Sequence, residues 1–97
     1  VSFQQMSISS PIQENIRTFV IQNFLFGDGS GLQDQESFLE AGIIDSTGVL
    51  ELVGFLESTF GIAVRDEDLV PANLDSVERA SKFVERKLSD VEASLAG

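Results

Sequence analysis

The chain contains no histidine and no cysteine. Without an imidazole there is no Ser-His or Cys-His nucleophile system, and without a thiol there is no disulfide and no thiolate metal site. Any thiol this protein uses must be attached to it. Basic residues are scarce as well: six Lys and Arg stand against sixteen Asp and Glu, a net charge of −10. A surface of that sign repels phosphate backbones and anionic lipid, so neither nucleic acid nor a membrane is expected as a partner. No apolar run approaches the roughly 18 residues of a membrane span, and no basic segment followed by an apolar stretch opens the sequence. The expected location is cytoplasmic.

What is present suffices for one small domain. The 97 residues are 42% apolar and 23% charged, within the globular range. A chain of this length buries only about 60–65% of its unfolded surface, which allows one modest core and no second, catalytic domain. Residues 1–9, which carry no initiator methionine, are expected to be disordered and in part foreign to the fold. The domain is expected over 10–89, with a frayed tail over 90–97.

The first helix is announced by Ser10-Pro11-Ile12-Gln13, a capping serine with proline at the first helical position and glutamine three residues on. Ile12, Ile16, Phe19, Val20 and Phe24 then share one face, and the spacing predicts a helix over 11–25. The turn formers Gly27-Asp28-Gly29-Ser30-Gly31 stop it. The long connection to residue 44 holds Leu32, Phe38, Leu39, Ile43 and Ile44, too apolar for a solvated linker, so it is expected to pack across the helices. Its Asp28-Gly-Ser30-Gly opening has the first spacing of a calcium loop, but the later ligand positions are Leu32 and Leu39, and no calcium is expected.

A second helix is predicted from Asp45-Ser46 to Gly61, with Val49, Leu52, Val53, Leu56 and Phe60 turned to the core. Thr47, Glu51, Gly54 and Ser58 form its outer face, flanked by Leu50 and Phe55. A short turn is predicted at Asp66–Leu69, with Val64 and Leu69 inward and Pro71 preventing continuation. Asp75-Ser76-Val77-Glu78 caps a last helix over 76–88, whose Val77, Ala80, Val84 and Leu88 face the core. Lys82, Arg86 and Lys87 are read at its C-terminal end, where the helix dipole favours cations. With no alternating segment, the expected fold is all-α: a small four-helix bundle of three long helices and a short third one, with a packed loop between helices 1 and 2.

The informative stretch is Phe38-Leu-Glu-Ala-Gly-Ile-Ile-Asp45-Ser46-Thr-Gly-Val-Leu-Glu-Leu-Val53. Read by itself, Asp45 is a helix cap and Ser46 a first-turn residue, which is ordinary capping chemistry. The whole segment, however, resembles the phosphopantetheine attachment site of acyl and peptidyl carrier proteins. In that family a glycine, two residues and Asp-Ser precede an amphipathic helix, here Gly42-Ile43-Ile44-Asp45-Ser46. The likeness extends upstream through Asp34-Gln-Glu-Ser-Phe38, and downstream through Leu56-Glu57-Ser-Thr-Phe60-Gly61-Ile62, Asp66-Glu-Asp68-Leu69, Leu74-Asp75-Ser76-Val77 and Phe83-Val84, covering roughly residues 11–88.

The resemblance implies a stand-alone carrier and not an enzyme. Ser46 would receive 4'-phosphopantetheine from coenzyme A through a phosphopantetheinyl transferase, with Asp45 capping the helix beside it. Acyl or aminoacyl cargo would ride on the imported thiol, set there by a loading ligase or acyltransferase and used by synthase or tailoring enzymes. Thr47 and Gly48, where many fatty-acid carriers have Leu or Met after the serine, point to a specialised pathway such as polyketide, nonribosomal peptide or aminoacyl transfer. Partner contacts are expected at Thr47, Leu50, Glu51, Gly54, Phe55 and Val64. Between Asp34 and Glu78 lie eleven acids and one base, Arg65; their field would steer basic partner surfaces toward the serine. A monomer is expected. The alternative reading is an unmodified helical module that binds partners through the outer face of helix 2.

Overall fold

Helix formation follows the apolar stripes read above. The computed structural model describes residues 11–96, with side chains through Asp90. Four α-helices follow in order: α1 (Pro11–Phe24), α2 (Gly48–Phe60), α3 (Pro71–Leu74) and α4 (Val77–Ala96), with a 3₁₀ turn at Asp66–Asp68. Among the described residues there is no strand. The architecture is thus the all-helical bundle of three long helices and one short one. The Ser10 cap and the expectation for residues 1–9 lie outside the described residues.

The core is continuous through all parts of the chain. Ile16 and Val20 of α1, Leu52 and Leu56 of α2, Leu74 of α3, and Val77, Ala80, Phe83 and Val84 of α4 are buried. α1 lies mainly against α4 and more lightly against α2, while α3 packs on α4. Phe19 and Phe55 stack across the α1–α2 seam, with ring centroids 4.2 Å apart. The connection over residues 25–47 contributes Leu32, Phe38 and Ile44 to the same core.

A buried loop must find partners for its backbone and polar groups. Asp34 supplies them on one side: Arg17 donates to its carboxylate at 2.9 Å and Gln13 at 2.7 Å, while the Glu78 N–H donates to its carbonyl at 2.8 Å. Arg17 also donates to the Leu32 carbonyl at 2.7 Å. On the other side the Phe38 N–H donates to the Asp75 carbonyl at 2.7 Å. The loop is therefore fastened to α1 and to the start of α4.

Several boundaries differ from the sequence reading. α1 stops at Phe24, before the glycines, because Phe26 takes a left-handed φ of 55° and Gly27 donates back to the Ile21 carbonyl. The short turn at Asp66–Asp68 is 3₁₀, and Pro71 does not merely prevent continuation: it opens α3, where its fixed φ suits the first helical position. Leu69 does not point inward but stays 38% exposed, since Val70 is already extended and the turn beneath Leu69 is only three residues long.

The cap of α4 is Ser76, whose hydroxyl accepts the Arg79 N–H at 3.0 Å; the Asp75 carboxylate turns to the loop instead. α4 runs on to Ala96, past the predicted end at residue 88. No Gly or Pro interrupts the sequence between Leu88 and Ala96, and Val91 and Leu95, three and seven residues after Leu88, keep the apolar positions at helical spacing, a signal the sequence reading did not use. Lys82, Arg86 and Lys87 consequently sit well inside α4, away from its C-terminal dipole.

The buried loop yields a direct test. Phe38→Ala removes a side chain that is only 2% exposed and is expected to cost about 3–5 kcal/mol in chemical denaturation. A loss below about 1 kcal/mol would mean that residues 25–47 are not part of the core.

Candidate functional site

The path into α2 is set by one glycine and one carboxylate. Gly42, at φ 72°, turns the chain so that the Ile43 and Ile44 N–H groups both donate to the Phe38 carbonyl, at 2.9 and 3.3 Å. An L side chain there would be strained. Ile44 is thereby buried and Asp45 emerges at the surface. The Asp45 carboxylate accepts the Gly48 N–H at 2.7 Å, and its carbonyl accepts the Val49 N–H at 3.1 Å. Asp45 thus acts as the cap of the helix, although regular α-helix begins at Gly48, later than the predicted start at Asp45-Ser46. The Leu50 N–H donates to the Thr47 carbonyl, a tight first turn that accounts for the shift.

Gly48 has a packing role that its low helix propensity conceals. A Cβ built on it would lie 2.9 Å from the Phe24 ring and 3.0 Å from Ile44. Its absence lets the start of α2 approach the end of α1, and the turn carrying Ser46 and Thr47 is held in that approach.

Ser46 is exposed in this turn, and among the described residues no hydrogen bond engages its hydroxyl. Beside it runs an apolar groove of about 260 Å³. Phe38 and Leu39 of the loop and Val49 and Leu50 of α2 form one side; Leu69, Val70, Pro71 and Leu74 form the other. Apart from Ser46, the polar lining is Asp75. Its carboxylate is occupied: it accepts the Leu39 N–H at 3.0 Å and the Ser37 hydroxyl. Leu39, Leu50, Leu69 and Val70 are the large apolar side chains left exposed around this groove.

The other sequence-predicted residues divide. Thr47, Leu50, Glu51 and Gly54 are exposed along the outer face of α2, and the space beside Gly54 is open. Phe55 is instead half-buried in the seam with α1, because its ring finds Phe19 and meets Phe60 edge-on at 6.0 Å. Val64 is half-buried, and its N–H donates to Glu57 at 2.9 Å. Leu39, Leu69, Val70 and Asp75 belong to the groove although the sequence reading did not assign them to the site. For Leu39, Leu69 and Val70 the signal would have been large apolar residues without a place in any helical stripe; Asp75, read as part of the α4 cap, gave none.

The acids also divide by task. Asp34, Asp45, Glu57, Asp68 and Asp75 each accept hydrogen bonds that hold the fold, whereas Glu40, Glu51 and Asp66 are exposed. Asp68 meets Lys87 at 2.8 Å, with the two side chains 19% and 21% exposed. The Lys87 ammonium, and after it the Arg65 N–H, hold the Asp68 carboxyl below its ordinary value of 3.8. Among the described residues no cluster of three or more His, Cys, Asp or Glu side chains could hold a metal ion, and no helix is long and apolar enough to cross a membrane.

Fold and site together define an all-helical bundle that presents one exposed serine at the mouth of an apolar groove. No family model matches the chain. It is similar to a probable acyl carrier protein, PigG, of Serratia sp. (strain ATCC 39006), with 27% identity over 75 residues, 77% of this chain and 86% of that protein. The resemblance to acyl carrier proteins therefore holds over most of the length of both chains.

Two measurements probe this geometry. Asp45→Ala leaves the Gly48 N–H without its cap and is expected to cost about 1 kcal/mol in urea unfolding, the usual value of such a cap. Asp68, with its folded pKa lowered, stabilises the fold fully above the unfolded carboxyl value and loses that contribution as pH falls through the folded one. Acid titration followed by circular dichroism should therefore show wild type losing stability below about pH 4 more steeply than Asp68→Asn. Identical profiles would remove Asp68 from the acid response.

Proposed function

We propose that this protein is an acyl carrier whose attachment point is Ser46. The observation that carries the reading is the exposed Ser46 hydroxyl, which ends the Gly42–Ser46 segment and opens onto the apolar groove. The residues fit a phosphopantetheine group. The serine oxygen is free to form a bond to phosphorus while the nucleotide part of coenzyme A leaves, in a reaction run by a phosphopantetheinyl transferase. Ser46 would hold the phosphodiester just ahead of α2, where the helix dipole favours an anion.

The attached group supplies a long flexible arm ending in a thiol that holds acyl or aminoacyl cargo as a thioester. The protein's own residues do the rest. Asp45 keeps the turn fixed by holding the Gly48 N–H, and Gly48 lets that turn dock between Phe24 and Ile44. The groove offers apolar cargo a place out of water immediately beside the attachment point, and each buried methylene there is worth about 0.8 kcal/mol.

Exposed Leu50 and Leu39 provide apolar contact for partner enzymes, and Glu40, Glu51 and Asp66 give those partners a reason to be basic. The partners are the transferase, a loading ligase or acyltransferase, and synthase or tailoring enzymes. Thr47 and Gly48 after the serine favour a specialised pathway over housekeeping fatty-acid synthesis. The protein works as a cytoplasmic monomer and is not itself an enzyme.

Incubation with coenzyme A and a broad-specificity phosphopantetheinyl transferase, followed by intact mass measurement, should add one phosphopantetheine to the wild type and none to Ser46→Ala. No addition with several transferases would sink the carrier reading. In that event, unchanged partner affinity of Ser46→Ala would favour an unmodified module binding through the outer face of α2.

A further inference from the structure

The groove beside Ser46 has two unequal sides. Phe38 and Val49 on one side come from the buried loop and from a long helix rooted in the core. The opposite side, carrying Leu69, Val70 and Pro71, belongs to the chain between Ile62 and Leu74. Those two residues are buried, but nothing in 63–73 is. Apolar packing therefore anchors this segment at Ile62 and Leu74, with Val64 half-buried beside the first of them, and something else must fix the stretch from Arg65 to Asn73.

Three cations of α4 do so. Lys87 pairs with the Asp68 carboxylate at 2.8 Å. Arg86 donates to the Asn73 side-chain oxygen at 2.8 Å, and Asn73 in turn donates to the Asp68 carbonyl at 2.9 Å. Arg79 reaches the Pro71 carbonyl at 3.3 Å. The Lys87–Asp68 bond is the shielded member of the set, with both side chains about four-fifths covered. The same Asp68 carboxylate accepts the Arg65 N–H at 3.0 Å, which closes the 3₁₀ turn. One ion pair thus joins the turn, the segment behind it and α4.

We propose that Lys87 is a positioning residue for the Ser46 groove: through Asp68 it holds the 65–73 segment against α4 and so sets how far the groove can open. Neither Lys87 nor Asp68 lines the groove. Lys87 acts on the site from the far side of the wall. A charge-assisted hydrogen bond is directional and makes or breaks as a unit, so its loss frees the wall while the buried ends keep it attached. The carrier reading enters only in taking this groove as the resting place of cargo; the width of the groove is a property of the unmodified protein.

The test uses the unmodified chain. In Lys87→Met, which keeps the length of the side chain without its charge, amide hydrogen exchange at Asp68, Leu69, Val70 and Asn73 should quicken about tenfold, as expected for one lost charge-assisted hydrogen bond. Amides in the middle of α1 and α2 should keep their wild-type rates. Binding of the neutral fluorophore N-phenyl-1-naphthylamine should rise at least about threefold as the groove opens, and Lys87→Arg should stay near wild type in both readouts. Unchanged exchange over 68–73, an equal rise throughout the chain, or unchanged fluorophore binding would each overturn the proposal. Transferase loading of Ser46, measured in parallel, should be the same in wild type and Lys87→Met, so failure of loading in both would count against the carrier reading and not against the role of Lys87.

Discussion

Asp75 is the joint on which the site depends. Its carboxylate takes the Ser37 hydroxyl and the Leu39 N–H, and its carbonyl takes the Phe38 N–H, so one residue ahead of α4 fixes three consecutive residues of the loop. Without those bonds the loop could not bury Phe38, because its backbone donors would enter the interior unpaired, at about 1–3 kcal/mol each. With Phe38 in place, its carbonyl becomes the acceptor for Ile43 and Ile44, and the chain is aimed at Asp45 and Ser46. The position of the serine is thus inherited from a carboxylate that is distant in sequence.

The groove follows from the same joint. Asp75 sits between the loop it binds and the end of α3, and the groove forms where those two parts fail to close over α2. One side is held by apolar burial and the other by polar bonds to α4. The two differ in kind: burial resists motion across a broad area, whereas a hydrogen bond is lost over a fraction of an ångström. A bundle this small cannot bury a full apolar surface on every side, so it fastens one wall with charge.

The acid excess takes on a different meaning once the fold is known. From composition it is a single field, useful for solubility and for drawing basic partners. In the folded chain, Asp34, Asp45, Asp68 and Asp75 are structural acceptors, and Glu40, Glu51 and Asp66 remain exposed. The scarce bases are used in the same economical way. Arg17 fastens the buried loop through Asp34 and the Leu32 carbonyl, and Lys87 fastens the segment around Asp68, where no residue from 63 to 73 is fully buried.

The sequence alone determined the three long helices, the apolar faces of α1, α2 and α4, the burial of Leu32, Phe38 and Ile44, and the exposure of Ser46 ahead of α2. These follow from local spacing, capping residues and turn glycines, which act over a few residues and are written in order along the chain. Only the tertiary structure decided that Phe55 belongs to the seam, that Asp75 serves the loop and Ser76 the cap, and that Leu39, Leu69 and Val70 border one groove. Each of these depends on which distant partner a side chain meets. A phenylalanine reads the same whether it faces Phe19 or solvent, and an aspartate before a helix reads as its cap until a loop N–H arrives to claim it.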